Sequence, residues 1–130
     1  MIRLDPFTRA YIEAMLWSTT DESTPQGGEP LDANYDETDL SVDTLAQIVE
    51  DCRAFQRDNA VDIAAGDDPQ TTNYTADKRA GHDFWLTRER HGAGFWDGDW
   101  TEPAASRLTD AAHAYGSFEL YVGDDGLIHH

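Results

Sequence analysis

One aromatic-rich stretch, residues 81–100 (GHDFWLTRERHGAGFWDGDW), constrains the fold more than any other part of the chain. It holds three of the four tryptophans, two of the five phenylalanines and four glycines. Apolar side chains on either side of a polar, glycine-containing segment are typical of two strands joined by a turn. The stretch predicts a β-hairpin over residues 82–97, with Phe84–Leu86 in its first strand and Phe95–Trp96 in its second.

Capping residues and apolar spacing predict three main helices. Asp5 and Pro6 suit the start of a helix over 5–18. A helix over 41–62 has an apolar face, and another over 103–115 stops before Gly116. The apolar face of the second helix consists of Leu45, Ile48, Val49, Cys52 and Phe55.

The remaining segments predict loops, a short helix and a last strand. Residues 19–39 are polar and predict a long surface loop, tethered by Leu31 and Tyr35. Residues 69–80 predict a short helix with Gly81 as its left-handed cap. Residues 118–122 alternate as a strand, which a turn over 123–126 joins to a short return strand over 127–128.

These elements predict a single α+β domain over residues 1–130. A small antiparallel sheet, made of the hairpin over 82–97 and the strand over 118–122, is covered by the helices over 5–18, 41–62 and 103–115. A chain of 130 residues is long enough to bury one core without disulfides. Cys52, the one cysteine, is interpreted as a small buried hydrophobe.

The balance of charge is strongly acidic. There are 26 acidic and nine basic residues, giving a formal net charge of −17 and a pI near 4.2. Such a surface repels nucleic acid and anionic membranes, and it favours a basic partner, diffuse cation binding or high solubility. Because the sequence shows no signal peptide and no apolar run long enough to span a bilayer, we expect a soluble cytoplasmic protein.

Carboxylates concentrate on the outer face of the helix over 41–62 and in the segment before it. Acids one or two turns apart on a helix are separated by roughly 5 to 11 Å, which brackets the spacing of phosphates along a nucleic-acid strand. The face is either a solvated surface or a mimic of phosphates. The predicted partner-binding residues are Asp36, Glu37, Asp39, Asp43, Glu50, Asp51, Asp58 and Asp62.

No catalytic residue, metal site or cofactor is predicted. A set of metal-capable side chains lies close together in sequence, but it contains no two-histidine motif at helical spacing. Successive strand residues face opposite ways, so His82 and Asp83 would not share one ion. The set is His82, Asp83, His91, Asp97 and Asp99. Two terminal histidines, His129 and His130, are given no role.

A small basic island, Arg88, Arg90 and His91, stands out in the acidic chain. On the predicted hairpin it lies in the connecting loop. It either pairs with the protein's own acidic loop or contacts a partner.

Most of the chain resembles a family of small uncharacterised proteins of tailed bacteriophages and prophages. The likeness rests on LDPFTRAYIEAMLWSTTDE, PLDANYDETDLSVDTLAQIVEDC, GHDFWLTRERHGAGFWDGDW and LTDAAHAYGSFELYVGDDGLI. Family members commonly carry asparagine-glycine before the HGAGFWD run, where this chain has Glu89 and Arg90. The resemblance implies a phage accessory protein, and it assigns no catalytic residue.

Three hypotheses of function follow. The first is an acidic phage protein that binds and inhibits a host nucleic-acid-binding defence protein, as an anti-CRISPR or anti-restriction DNA mimic. The second is an interaction or structural accessory module that uses an aromatic surface around Trp96 and Trp100. The third is a metal-dependent enzyme that uses His82, His91 and the segment 97–99.

Overall fold

The computed structural model describes residues 4–23, 28–66, 75–96 and 100–130. Its helices are α1 (Pro6–Ser18), α2 (Val42–Asp58), α3 (Ala60–Ala64), α4 (Ala76–Arg88) and α5 (Ala104–His113), with 3-10 turns at Leu31–Ala33 and Glu37–Asp39. Two antiparallel pairs of short strands join β1 (Thr20–Asp21) to β2 (Glu29–Pro30), and β3 (Tyr121–Val122) to β4 (Ile128–His129). The predicted α+β class with a small antiparallel sheet is confirmed.

The central element is α4, so the hairpin predicted over residues 82–97 is wrong. The Thr75 side chain caps the helix by accepting a hydrogen bond from the Lys78 N–H at 3.3 Å. From residues 83 to 88 every side chain is buried. In a strand with one solvent-exposed face, buried and exposed side chains would alternate. A short apolar run that is buried all round has no periodicity by which helix and strand can be told apart.

Gly81 lies inside α4, where the sequence predicts a left-handed cap. A β-carbon built on Gly81 would meet the backbone carbonyl of Phe7 in α1. The glycine therefore lets two helix backbones approach each other, and α1 packs along α4 more extensively than any other described pair of elements does. Residues 69–74 of the predicted short helix lie outside the described residues, and its described part continues through Gly81 to Arg88.

The start of α1 agrees with its predicted capping. Asp5 accepts a hydrogen bond from the Thr8 N–H at 2.8 Å, and Pro6 occupies the first turn. The helix predicted over 41–62 begins after Ser41 as expected but ends at Asp58. Asn59 leaves helical geometry, and both its backbone N–H and its side-chain amide donate to the carbonyl of Phe55. Asp62 consequently belongs to a separate helix.

The core is a single hydrophobic cluster to which all five helices and β4 contribute. At its centre, Phe84 of α4 stacks on Phe55 of α2 with ring centroids 4.1 Å apart, and its ring also contacts Phe7 and Tyr11 of α1. Cys52 is fully buried, as predicted, and burial raises the pKa of its thiol. The aromatics predicted for a sheet therefore form the interior of a helical layer.

The C-terminal region begins with α5, which ends at His113, two residues short of the predicted end at 115. Gly116 follows with a φ of +72°, the left-handed geometry that glycine adopts readily. The strand predicted over 118–122 is shorter, because strand pairing begins only at Tyr121. The predicted turn and return strand are present, and β4 also bridges to Leu40 before α2.

Residues 19–39 contain more regular structure than the predicted loop. They include β1, β2 and both 3-10 turns. Leu31 is buried and Tyr35 is half-buried against the core, so both predicted tethers are confirmed.

Candidate binding surfaces

Three of the eight predicted contact carboxylates form ion pairs with arginines, which cancels much of their charge locally. Asp51 lies on the inner edge of α2, and its side chain and that of Asp62 are largely buried, while Asp58 is exposed. The hydrogen bond from Arg107 lowers the pKa of Asp62. The ion pairs are Asp51–Arg88 at 3.0 Å, Asp58–Arg57 at 3.1 Å and Asp62–Arg107 at 2.6 Å.

Two further carboxylates, Asp36 and Asp39, cap the 3-10 turn that precedes α2. The Asp36 side chain accepts from the Thr38 N–H, and the Asp39 side chain accepts from the Asp36 N–H, both at 2.9 Å. The bonds from Thr38 lower the pKa of Asp36. Both side chains therefore order the backbone of this turn.

The other three carboxylates, Glu37, Asp43 and Glu50, form no ion pair within the described part of the chain. Asp43 and Glu50 are exposed on α2. Seven residues separate them, which places them about 20° apart around the helix and roughly 10.5 Å apart along it. Arg57 lies on the same face of α2, so the acidic stripe is continuous only from the start of α2 to Glu50.

Arg88, predicted to lie in a loop, is 5% exposed at the end of α4. Its guanidinium donates to the Tyr11 hydroxyl and to the Asp51 carboxylate, each at 3.0 Å, and to the carbonyl of Gly116 at 2.9 Å. The rings of Phe84, Tyr115 and Phe118 surround it, with centroids 5.2 to 5.6 Å from the guanidinium carbon.

The charge of Arg88 is held in place by its partners. Burial is the largest influence and disfavours the charged form, but Tyr11 and Asp51 together keep the pKa of Arg88 above its ordinary value. Beside it, the Glu89 carboxylate accepts from the Ser117 hydroxyl at 2.7 Å and from the Phe118 N–H at 3.0 Å. The end of α4 thus binds the chain that follows α5.

The basic island is split by this arrangement. Arg88 pairs with Asp51 of α2 rather than with the acidic loop over 19–39, whereas Arg90 and His91 are exposed. The predicted hairpin places Arg88 in an exposed turn, so it does not indicate that the guanidinium is buried and paired with Asp51. The signal that could have revealed it is an arginine directly after the apolar run Phe84–Thr87, at a position one helical turn from Phe84.

The predicted metal ligands do not form a site where the structure describes them. His82 packs on Trp17 with ring centroids 5.8 Å apart, and burial lowers its pKa. The Asp83 carboxylate instead accepts a hydrogen bond from the Trp100 indole at 2.7 Å. Within the described ranges no three His, Cys, Asp or Glu side chains could hold an ion, and Asp97 and Asp99 lie outside those ranges.

The predicted aromatic surface around Trp96 and Trp100 is half correct. Trp96 is 54% exposed. Trp100 is 4% exposed, because its ring packs in the core against Phe95 while its indole N–H binds Asp83. Trp100 is therefore a structural residue.

A cleft separates β1 from β3 and was not predicted. Its inner part, of about 130 Å³, is lined by residues 20–23, Leu31 and residues 120–122. A wider, open part of about 420 Å³ continues past Glu89 and His91 and shares Thr20 and Leu120 with the inner part. The two walls are extended backbone from 19–23 and 117–122.

The chain matches no protein-family model, no curated protein and no solved structure. No helix of the described residues is long and apolar enough to cross a membrane.

Proposed function

We propose that this protein is a non-enzymatic, acidic binding protein that occupies the nucleic-acid-binding surface of a host defence protein. This is the action of an anti-CRISPR or anti-restriction DNA mimic, and its place is the cytoplasm of a host bacterial cell. The observation that supports it is the set of carboxylates from Asp36 to Glu50, which form no ion pair among the described residues, in a chain of net charge −17.

Five of the eight predicted contact carboxylates support the proposal better than the other three. Asp51, Asp58 and Asp62 already have arginine partners, and the side chains of Asp51 and Asp62 are also largely buried. The remaining five carboxylates lie consecutively along the 3-10 turn and the first half of α2. They are Asp36, Glu37, Asp39, Asp43 and Glu50.

Two properties suit this segment to a basic partner. The capping box of Asp36 and Asp39 and the cap at Ser41 hold the backbone of the segment, so little backbone entropy is lost on binding. Complementary charge speeds the encounter and makes the affinity sensitive to salt.

Capture from bacterial lysate tests the proposal. Tagged protein is immobilised in 50 mM salt, bound proteins are eluted with 500 mM salt, and the eluate is identified by mass spectrometry. We expect a nucleic-acid-binding protein whose binding to DNA or RNA is blocked by this chain. An eluate without one would contradict the proposal.

Charge reversal then locates the surface. Asp43→Lys combined with Glu50→Lys should weaken binding to the captured protein by more than tenfold. The matched control is Asp77→Lys combined with Asp110→Lys, which changes net charge equally at exposed sites on α4 and α5. Equal losses in both double variants would mean that net charge matters and that this surface does not.

The exposure of Trp96 favours the aromatic accessory module as a second candidate. In that case Trp96→Ala would abolish capture while added salt would leave it unchanged. Trp100→Ala is not a suitable test, because that ring belongs to the core.

A further inference from the structure

We propose that the cleft between β1 and β3 binds an extended, basic segment of a partner protein, which adds a strand between the two small sheets. This inference goes beyond the proposed function, since it uses a different surface from the carboxylates of α2. It rests on the main-chain groups that the two sheets leave free, on the shape of the cleft and on its charge.

The register of β3 leaves one of its edges free. The Gly123 N–H donates to the Leu127 carbonyl at 2.9 Å, and Tyr121 pairs with His129. Hydrogen-bonded positions alternate along an antiparallel pair, so the N–H and C=O of Val122 point away from β4. The Ser41 N–H bonds the carbonyl of Ile128, the partner of Val122, on the far side of β4, which agrees with this assignment.

The register of β1 likewise leaves one of its edges free. The Leu31 N–H donates to the Thr19 carbonyl at 2.9 Å, and Asp21 pairs with Glu29. Thr20 lies between these positions, so its N–H and C=O point away from β2. Its cross-strand neighbour, Pro30, has no N–H to offer it.

The residues of both free edges border the same cleft. Thr20, Leu120 and Val122 line it, whereas none of its lining residues comes from β2 or β4. Among the described residues no backbone hydrogen bond joins β1 to β3. A strand laid between them would find donors and acceptors on both sides, which is the arrangement that strand addition requires.

The shape of the cleft, a small inner part that opens into a wide groove, suits a peptide better than a cofactor. The inner part, of about 130 Å³, is smaller than the roughly 300 to 1,000 Å³ of small-molecule sites. It accommodates a side chain, and the outer part is an open groove through which a chain can continue. Leu31, Leu120 and Val122 give the inner part an apolar lining.

The charge of the cleft selects a basic occupant. Its lining contains the carboxylates of Asp21, Glu22, Glu89 and Glu119 and no lysine or arginine, and His91 is its one basic side chain. Asp21 and Glu89 already accept hydrogen bonds from neighbouring residues. Glu22 and Glu119 are exposed and have no ion-pair partner in the described parts of the chain. A second copy of this chain is disfavoured, because it would bring another net charge of −17 to the cleft.

A designed peptide tests the inference on the intact protein. The probe is a fluorescein-labelled eight-residue peptide of alternating lysine and valine, and binding is measured by fluorescence polarisation in 50 mM salt. Its control has the same sequence and charge with N-methyl groups at alternate residues, which remove half of the main-chain donors. We expect the N-methylated peptide to bind at least tenfold more weakly. Equal affinities would overturn strand addition.

Amide exchange rates measured by NMR distinguish strand addition from a purely electrostatic contact, because only strand addition protects main-chain N–H groups. The register predicts that the N–H groups of Thr20, Leu120 and Val122 exchange quickly in the free protein and slowly with the peptide bound. The N–H of Tyr121, which faces β4, should be protected in both states. Unchanged exchange at the three predicted amides in the presence of bound peptide would overturn the inference.

Paired variants separate this surface from the one on α2. Glu22→Gln combined with Glu119→Gln should weaken peptide binding by about fivefold to tenfold, because each exposed ion pair contributes about 0.5 to 0.7 kcal/mol. Asp43→Asn combined with Glu50→Gln should leave it unchanged. The reverse pattern would overturn the inference and leave the proposed function standing. Dimers that the peptide dissociates, measured by sedimentation, would identify a second copy as the occupant and also overturn it.

Discussion

Arg90 has a backbone conformation that arginine rarely adopts. Its φ of +57° places it in the left-handed region directly after α4. The Arg90 N–H donates to the Thr87 carbonyl and the His91 N–H donates to the Leu86 carbonyl at 2.9 Å, the pattern of a Schellman cap. Glycine is usual at this position, because a β-carbon costs about 1 to 2 kcal/mol there.

We therefore expect Arg90→Gly to stabilise the protein by up to about 1 kcal/mol, since relief of strain exceeds the extra entropy of unfolded glycine. Urea unfolding followed by circular dichroism measures the change. Arg53→Gly is the matched control, because Arg53 lies in the middle of α2 and is exposed. That variant should lose about 1 kcal/mol. A loss of stability in Arg90→Gly would mean that the arginine side chain makes a stabilising contact.

The same residue shows how a local signal can be misread. Asparagine-glycine, which the resemblance places at the position of Glu89 and Arg90, favours a tight hairpin turn, but a glycine in left-handed geometry equally favours the end of a helix. The sequence contains nothing at this position that separates the two. The buried contacts of Phe84 and Arg88 decide in favour of the helix.

At the scale of the element, the contact between α1 and α4 depends on one missing side chain. Gly81 lies in the interior of α4, where intrinsic propensity disfavours glycine by about 1 kcal/mol relative to alanine. Its packing against the Phe7 carbonyl leaves no room for a β-carbon. For an added methyl group at this position, helix propensity therefore predicts a gain in stability, whereas packing predicts a loss.

We expect Gly81→Ala to destabilise the protein by about 1 to 3 kcal/mol, the usual effect of overpacking. Gly92→Ala is the control, because a β-carbon at Gly92 has nothing within 4 Å. It should change the free energy of unfolding by less than about 0.5 kcal/mol. Thermal unfolding by calorimetry compares them. Stabilisation by Gly81→Ala would show that α1 and α4 pack less closely than the structure indicates.

Elements with strong local chemistry are predictable from the sequence. The cap at Asp5, the start of α2 at Ser41 and the turn before β4 are of this kind, since each depends on a few neighbouring residues. The prediction for residues 82–97 is wrong because the choice between helix and hairpin depends on contacts with α1 and α2, which are distant in sequence. For the same reason the neutralisation of Asp51 by Arg88 could not be predicted from helical periodicity.

The cleft also lay beyond sequence analysis. Its walls are two-residue strands and extended segments that carry little periodicity, and they follow α1 and α5, two helices from opposite ends of the sequence that both pack against α4. By contrast, the exposure of Asp43 and Glu50 follows directly from the apolar face of α2.

On the scale of the whole molecule, two effects of the carboxylates oppose each other as the pH falls. Protonation relieves repulsion in a chain of net charge −17. It also removes the hydrogen bonds and ion pairs that hold individual carboxylates. Five of them have a pKa below the ordinary value, because neighbouring groups bind the charged form: Asp5, Asp21, Asp36, Asp62 and Asp125.

An aspartate whose pKa is lower in the folded state binds protons more readily when unfolded. Its stabilisation is present above the unfolded pKa of about 3.9 and is lost as the pH falls through the folded pKa. We expect the free energy of unfolding in 0.5 M NaCl, where repulsion is screened, to fall between pH 5 and pH 2. In 20 mM NaCl the fall should be smaller, because relief of repulsion offsets it. Urea titrations at four pH values measure both series, and a rise towards low pH in 0.5 M NaCl would contradict the assignment.

The burial of Arg88 has a consequence for the order in which the protein is made. As the chain leaves the ribosome, α1, α2 and α4 emerge before Tyr115 and Gly116, whose carbonyls accept from the guanidinium. Until those residues appear, the guanidinium has only part of its partners, and removing it from water is costly. We therefore expect the last turn of α4 to dock late, once synthesis has passed α5.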